Sequence, residues 1–422
     1  MNTAIIGGGF AGMIAAIVSS QNGDEVTIFE HMPRMGKKLL LTGSGKCNIS
    51  NTDMDISHFH ASDEGLVARV LSKCPPEDTL DFFEKLGLVI KDRNGYLYPY
   101  SEQASAVLDV LRFAIRDMGV DVLTDTDIRS VVKIEQGSER EVEDKFVVVT
   151  NQGRYSFDKV IICTGSSANR NTGSDGSGYD LVKAFGHTIV KPLPALTSLT
   201  CEDTFFPSIA GIRTRADVRL YDVTHDEKAG DFLGHETGEL QLVKSGISGI
   251  PVFNLSFMAV RALDEGKKIR AVIDLMPDMP DAELTSMLTD RLANIPDRSL
   301  EEMFIGILAK PLGICICKRC GLDLRRKCSS LNEKEIKELS VAVKSFDATV
   351  TGSGGLDNSQ VAQGGVSLSE VTDDLESRHV SNLFFAGEIL DVNGDCGGYN
   401  LQWAASSAMV AANGPRDQRG RR

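Results

Sequence analysis

Three glycines set the first chemistry to consider. Gly7-Gly8-Gly9-Phe10-Ala11-Gly12 spaces them as Gly-x-Gly-x-x-Gly, directly after the apolar run Thr3–Ile6 and at the start of the small-residue stretch Ala11–Ser20. Where a strand turns into a helix, such glycines serve a tight turn, backbone approach to a pyrophosphate, and close helix–strand packing. The unpaired N–H groups at the helix start then hold the phosphates, with Gly7, Gly9, Phe10, Ala11 and Gly12 closest to them. Val26–Phe29 is a second strand, and Glu30 follows it. A carboxylate there accepts both ribose hydroxyls and repels a 2′-phosphate.

A distant segment decides between dinucleotides. Leu383-Phe384-Phe385-Ala386-Gly387-Glu388 is a buried strand closing on a glycine and a carboxylate, and Gly394–Asn400 opens a last helix. Folded back beside the first strand, Glu388 meets a ribityl or phosphate region. The helix start stabilises negative charge on a reduced ring. The strand ending at Thr164-Gly165 is a further crossing element. NAD enzymes need none of these late elements, so the pattern points to FAD. Asn48, Asn51 and Asn400 offer amides to flavin O2, N3 and O4, or serve turns and caps. Lys46 is either a flavin or phosphate contact or a solvated loop lysine.

The elements that position these residues follow from periodicity. Helical spacing occupies Glu64–Leu71, Pro76–Leu86 and Gln103–Met118, and the strand Val120–Leu123 follows. Ile128–Ile134 and Phe146–Thr150 alternate like paired strands, and Val160–Cys163 is a continuous apolar strand. Beyond Lys191-Pro192-Leu193-Pro194 the chain becomes β-branched and glycine-rich, with helical patterns at Ala282–Ala293, Leu300–Leu308 and Glu333–Val343. A parallel-sheet style returns near Ser381, ending in a helix over Leu401–Ala412. The expected fold class is α/β: an FAD-binding Rossmann domain over 1–190 and 346–422, interrupted by a β-rich insert over 191–345.

Composition narrows the setting. The 422 residues are 42% hydrophobic and 25% charged, which suits a globular protein of more than one core. The net charge of −14 disfavours a nucleic-acid surface spread over the whole protein. Nine cysteines without a secreted framework imply reduced thiols and a cytoplasmic location. The apolar start lacks a basic flank and carries the glycine turn, so it reads as a strand rather than a signal peptide. No apolar run is long enough to span a membrane.

These residues resemble a known family, the BaiN-like and YhiN-like flavoproteins, also called aminoacetone-oxidase-family NAD(P)/FAD-dependent oxidoreductases. The resemblance runs over nearly the whole chain. It is carried by Ile5–Gly12, Gly36–Asn51, Gly95–Ser101, Thr172–Tyr179, Gly186-His187, Gly246–Pro251, Gly364–Glu370 and Gly387–Trp403. It implies a glutathione-reductase-type FAD domain with a barrel-like insert and a small helical portion. It also implies tightly bound FAD and reduction of an activated C=C bond. Two substrate worlds attach to the family, steroid enones of bile-acid metabolism and uridine of ribosomal RNA. By the same resemblance Lys38, Gly43, Lys46, Asn48, Asp395, Gly398, Asn400 and Leu401 join the cofactor contacts. The chain departs from the family at Lys46, where many members have arginine, and at Asn169-Arg170-Asn171, which lacks a common proline.

Reduction of C=C needs a hydride from flavin N5 and a proton from an acid on the other side of the substrate. Cys47 and Cys396, which the resemblance places by the cofactor, are candidate acids, with buried packing as their alternative. Tyr399 is the third candidate, or packs on the ring. No second fingerprint appears, so NAD(P)H as reductant would dock at the flavin directly. The leading expectation is an ene-reductase for a small enone. A ribosomal RNA dihydrouridine synthase and a non-catalytic or redox-sensing flavoprotein are the alternatives.

Two further features stand apart. Cys315, Cys317, Cys320 and Cys328 fit neither zinc-knuckle nor ferredoxin spacing, and Leu312–Lys327 reads as a helix with one buried face, so no metal is expected. Lys310, Lys318, Arg319, Arg325, Arg326 and Lys327, with only Asp323 among them, form a basic stretch. Together with Arg416, Arg419, Arg421 and Arg422 it is either an RNA phosphate contact or a solvated face. His187 after Gly186 reads as structural.

Overall fold

The computed structural model describes residues 1–134, 145–227 and 229–415. The chain divides into two compact units, Met1–Leu193 with Leu356–Arg422, and Pro194–Gly355. Among the described residues no helix is long and apolar enough to cross a membrane.

The first unit is built on a five-stranded sheet in the order Leu383–Phe385, Lys159–Ile162, Asn2–Ile6, Glu25–Phe29, Asp121–Leu123. All neighbours are parallel. Ala4, Ile5, Ile28, Val160, Ile161, Ile162, Leu383 and Phe385 are wholly buried. Continuous apolar strands of this kind are covered on both faces, as helix crossovers require. The helix Phe10–Gln21 is buried from Phe10 to Ser19 and packs against the last helix, Tyr399–Asn413. Its small residues allow that close approach. The crossover between Asp121–Leu123 and Lys159–Ile162 carries an antiparallel meander, Ile128–Ile134, Lys145–Thr150 and Arg154–Phe157.

Smaller pieces frame the sheet's carboxyl ends. Val392–Gly394 pairs antiparallel with Phe59–Ala61. Ser50–Asn51 pairs with Tyr96–Pro99, which also pairs with Ile90–Arg93.

The second unit is a closed barrel of Leu199–Cys201, Gly246–Gly249, Asp231–Val243, Arg213–Asp222, Ile269–Asp274 and Phe346–Ser353. Alternate residues fill its buried face: Ala216, Val218 and Leu220, then Ile269, Ala271 and Ile273, then Phe346, Ala348 and Val350. The helices Ile250–Asp264, Asp281–Asn294, Lys310–Arg319 and Glu333–Lys344 accompany it.

Three expectations are corrected here. The return segment does not begin at 346, because Phe346–Ser353 pairs with Ile269–Asp274 and Leu199–Cys201 and so closes the barrel. Leu300–Leu308 is not a helix. It holds one short turn, Leu300–Glu302, started by a capping box between Ser299 and Glu302. The helix expected over Leu312–Lys327 ends at Arg319, where Cys320 and Gly321 close it. The helix Ile250–Asp264 went unread, because its pattern is apolar nearly all round and sits among strand-like neighbours.

Candidate functional site

The fingerprint turn lies at the carboxyl ends of three parallel strands. Gly7 has φ +102°, and a Cβ there would meet Cys163 O at 2.7 Å and Thr164 Cα at 3.0 Å. A Cβ on Gly12 would lie 1.9 Å from Gly7 O, so helix and strand touch backbone to backbone. Gly9 differs: nothing lies within 4 Å of its missing Cβ, and its φ of −75° suits any residue. Its bareness serves approach from outside. Gly9 caps the helix with no side-chain hydrogen bond, and the first turn, which includes Phe10 and Ala11, carries no acidic residue. That leaves uncompensated N–H groups and dipole for an anion.

Glu30 is fixed beside this turn. Its Oε2 accepts the Gly8 N–H at 2.9 Å, and its Oε1 accepts the Met32 N–H at 2.8 Å. Each oxygen keeps lone pairs for a ribose hydroxyl. Bare helix start, open glycine and anchored carboxylate together fit the adenosine diphosphate half of a dinucleotide.

The returning strand completes the frame. A Cβ on Gly387 would come within 2.9 Å of Ala11 Cβ, which sets the strand end against the fingerprint helix. Glu388 Oε2 accepts from Lys38 Nζ at 2.6 Å, while Oε1 accepts from Ser166 Oγ at 2.7 Å and from the Ala362 N–H at 3.0 Å. Two expected cofactor residues therefore bind one another. Gly165, with φ +71°, follows Thr164, whose Oγ1 is buried without a partner, as is Asn48 Oδ1. Gly43 sits exposed in the turn Leu39–Gly45, with Leu40 and Leu41 exposed beside it. Lys46 is half exposed and 3.6 Å from Glu102, so it is a solvated loop lysine in this structure.

The loop Gly394–Asn400 is tied by side chains. Asn400 Nδ2 donates to Gly394 O at 2.7 Å and to Asp395 O at 3.3 Å, and its Oδ1 accepts the Gly394 N–H at 2.8 Å. Asn51 Nδ2 donates to Gly397 O at 2.9 Å. In this structure these two amides do turn chemistry, the alternative that the sequence left open beside flavin contact. Gly398 has φ +100°, and its missing Cβ would meet Ser50 O at 2.5 Å, so the helix start lies hard against that strand. Leu401, in the helix's first turn, is half buried against the core.

Two histidines join this loop that sequence reasoning missed. Asp395 Oδ2 lies 3.0 Å from His58 Nδ1, and its Oδ1 lies 2.8 Å from His60 Nε2. Its carboxylate is therefore engaged by one histidine on each oxygen. His58 stacks on Tyr399 with ring centroids 4.4 Å apart and 19° between planes. The signal was the His-x-His spacing, with His58 ending a short turn and His60 on the strand that follows it. Nothing local, however, linked them to residue 395.

The candidate acids separate. Cys47 is wholly buried with φ +57°, and burial pushes its thiol up to about 12 despite a hydrogen bond with Thr42. The thiol therefore stays protonated, and Cys47 keeps both of its readings, candidate acid or buried packing residue. Cys396 is half buried in the loop before the last helix. Tyr399 is buried, and burial first, then Asp53, Tyr96 and Asp395, raise its pKa and keep the phenol protonated.

In the second unit the basic stretch is largely compensated. Lys310 pairs with Glu301, Arg319 with Asp347, Arg325 with Asp323, Arg326 with Glu335, and Lys327 with Asp297. All of these acids but Asp323 lie outside the stretch, which is why it read as bare charge. Arg416, Arg419, Arg421 and Arg422 lie outside the described residues. The Cys317, Cys320 and Cys328 thiols face three different carbonyls, of Leu300, Glu338 and Ser299. In the first unit His187 is buried between Glu370, 3.2 Å from Nδ1, and Ser377, 2.7 Å from Nε2.

Comparison with known proteins agrees with this architecture. Residues 1–414 match the family described as HI0933-like protein Rossmann domain. The 3-dehydro-bile acid delta(4,6)-reductase of Clostridium scindens is 37% identical over 96% of this chain and 97% of its own. The ribosomal RNA dihydrouridine synthase of Haemophilus influenzae is 25% identical, over 97% of this chain and 96% of its own. That of Escherichia coli is also 25% identical, over the same shares. With its fingerprint turn, returning strand and helix start in one parallel-sheet unit, the chain belongs to the HI0933-like Rossmann-domain family.

Proposed function

We propose that this chain is an FAD-dependent oxidoreductase that reduces the activated C=C bond of a steroid-type enone. The observation that carries the reading is the 37% identity, end to end, with a bile-acid enone reductase. The split nucleotide site supports the cofactor: Gly9 and the bare helix start take the pyrophosphate, Glu30 the ribose, and Gly387-Glu388 with Thr164-Gly165 the flavin half. NAD(P)H is the proposed reductant. Bound FAD would supply the hydride to one carbon of the double bond.

The chain's own residues do the rest. The N-terminus of Tyr399–Asn413 carries no acidic residue in its first turn and favours the negative charge that develops on a polarised carbonyl system. Tyr399, whose phenol stays protonated, is the proposed donor of the second hydrogen, as a proton to the adjacent carbon. Cys47 and Cys396 are the thiol candidates.

Ribosomal RNA as substrate has less support. The relatives with that name are 25% identical, and the basic stretch is paired with acids. The test is anaerobic incubation of flavin-loaded protein and NAD(P)H with a Δ4-3-keto steroid. A product two mass units heavier is expected. No turnover of any enone, together with conversion of a uridine in ribosomal RNA, would overturn the proposal.

A further inference from the structure

The His58–Asp395–His60 arrangement is built from both sides. The Asp395 N–H donates to His58 O at 3.0 Å, and Val392–Gly394 pairs in register with Phe59–Ala61. The aspartate is thus fixed by backbone before its carboxylate takes one histidine on each oxygen. His58 is held at both ring nitrogens, since its Nε2 lies 3.4 Å from Asp53 Oδ2. Its flat face covers the Tyr399 ring, while Phe59 meets the same ring edge-on at 5.7 Å and 85°. Tyr399 begins the last helix, and its ring has little freedom to move.

We propose that His58, oriented by Asp395, is a positioning residue that sets and supports Tyr399 as the proton donor of the enone reduction. The inference rests on the reading of this chain as an enone reductase. In the balanced step, hydride adds to the β-carbon and the Tyr399 O–H proton passes to the α-carbon. The C=C π bond is lost and two C–H bonds form. The phenolate so made is stabilised by an imidazolium stacked on its ring and regains its proton from solvent. Asp395, Asp53 and Asp55 are the acids that face His58, with Tyr399 on its ring and His60 beyond Asp395. Burial opposes the charged imidazole, but the hydrogen bonds to Asp395 and Asp53 hold its pKa above the ordinary value.

The test separates two half-reactions of the holoenzyme in anaerobic stopped flow. Reduction of the flavin by NAD(P)H needs no proton for the enone, whereas reoxidation by a Δ4-3-keto steroid does. His58→Phe keeps a ring on Tyr399 without charge, and His58→Gln keeps a polar group should the first variant fold poorly. Either is expected to slow reoxidation on the order of 10-fold, and Tyr399→Phe about 100-fold. Flavin content and the reductive half-reaction should stay near wild type. In wild type reoxidation should fall as pH rises through the His58 pKa, and in Asp395→Asn that fall should move to lower pH. NMR titration of the apoprotein's histidines should show the same downward shift for His58. An unchanged rate and pH dependence in the His58 variants would overturn the inference, as would equal loss of both half-reactions with the flavin. Wild-type protein that is never reoxidised by an enone would instead overturn the enone-reductase reading itself.

Discussion

At Gly7–Gly12 the backbone is kept bare, and each missing side chain makes room for helix, strand or ligand. At Gly394–Asn400 the backbone is tied down by Asn400, Asn51, His58 and His60. Both segments present a helix N-terminus at the carboxyl edge of one sheet. The first achieves this with residues adjacent in sequence, the second with partners more than 300 residues away. A binding surface can therefore be local or assembled, and only the local kind announces itself as a motif.

The largest expected effects come from within the fingerprint. Gly12→Val puts a side chain 1.9 Å from Gly7 O, which the fold cannot relieve, so the variant should lose folded protein. Gly9→Ala meets nothing within 4 Å and should keep the apoprotein's Tm within about a degree. It should nevertheless weaken FAD binding on the order of 10-fold or more, because the Cβ occupies the pyrophosphate's approach. Equal losses of Tm in both variants would mean that all three glycines serve packing alone.

The return loop should respond in the opposite sense. Asn400→Ala removes three hydrogen bonds and should cost about 1–3 kcal/mol of stability, measured by denaturant unfolding of the apoprotein. If stability holds and only FAD affinity falls, the asparagine faces the cofactor after all.

The fingerprint, Glu30 and most of the parallel sheet were legible in the sequence, because continuous apolar strands and glycine spacing are short-range signals. The loop's chemistry was not. Asn400 could be offered only as a flavin contact or a turn residue, and Asp395 only as a cofactor contact, because the partners they have here, the loop backbone, His58 and His60, depend on how the chain folds back. Nor could spacing alone show that Cys47 is wholly buried. The same blindness made Arg326 and Lys327 look like bare charge, when Glu335 and Asp297 neutralise them. In the insert, the final strand Phe346–Ser353 was assigned to the wrong unit because barrel closure is a long-range pairing.

A smaller effect comes from the far end of the last helix. Lys159 is buried and donates to Ala411 O and Ala412 O, each at 2.8 Å, with its ammonium over Phe384. Burial lowers its pKa to about 8, against Asp24 and Glu376, while the unfolded chain keeps the ordinary value near 10.5. Between those values the unfolded state binds more protons, so this lysine's contribution raises stability as pH climbs from 8 towards 10.5. Lys159→Met should remove that rise, measured as the slope of unfolding free energy against pH. A slope identical to wild type would place the lysine's pKa near its ordinary value.

The most direct test of the split site is titration of the apoprotein with FAD and with its two parts, ADP and riboflavin. If the fingerprint holds one half and the returning strand the other, FAD should bind at least 100-fold more tightly than either part, by about the margin that linking two fragments provides. FAD binding no tighter than ADP would contradict the account, since only the fingerprint would then be at work.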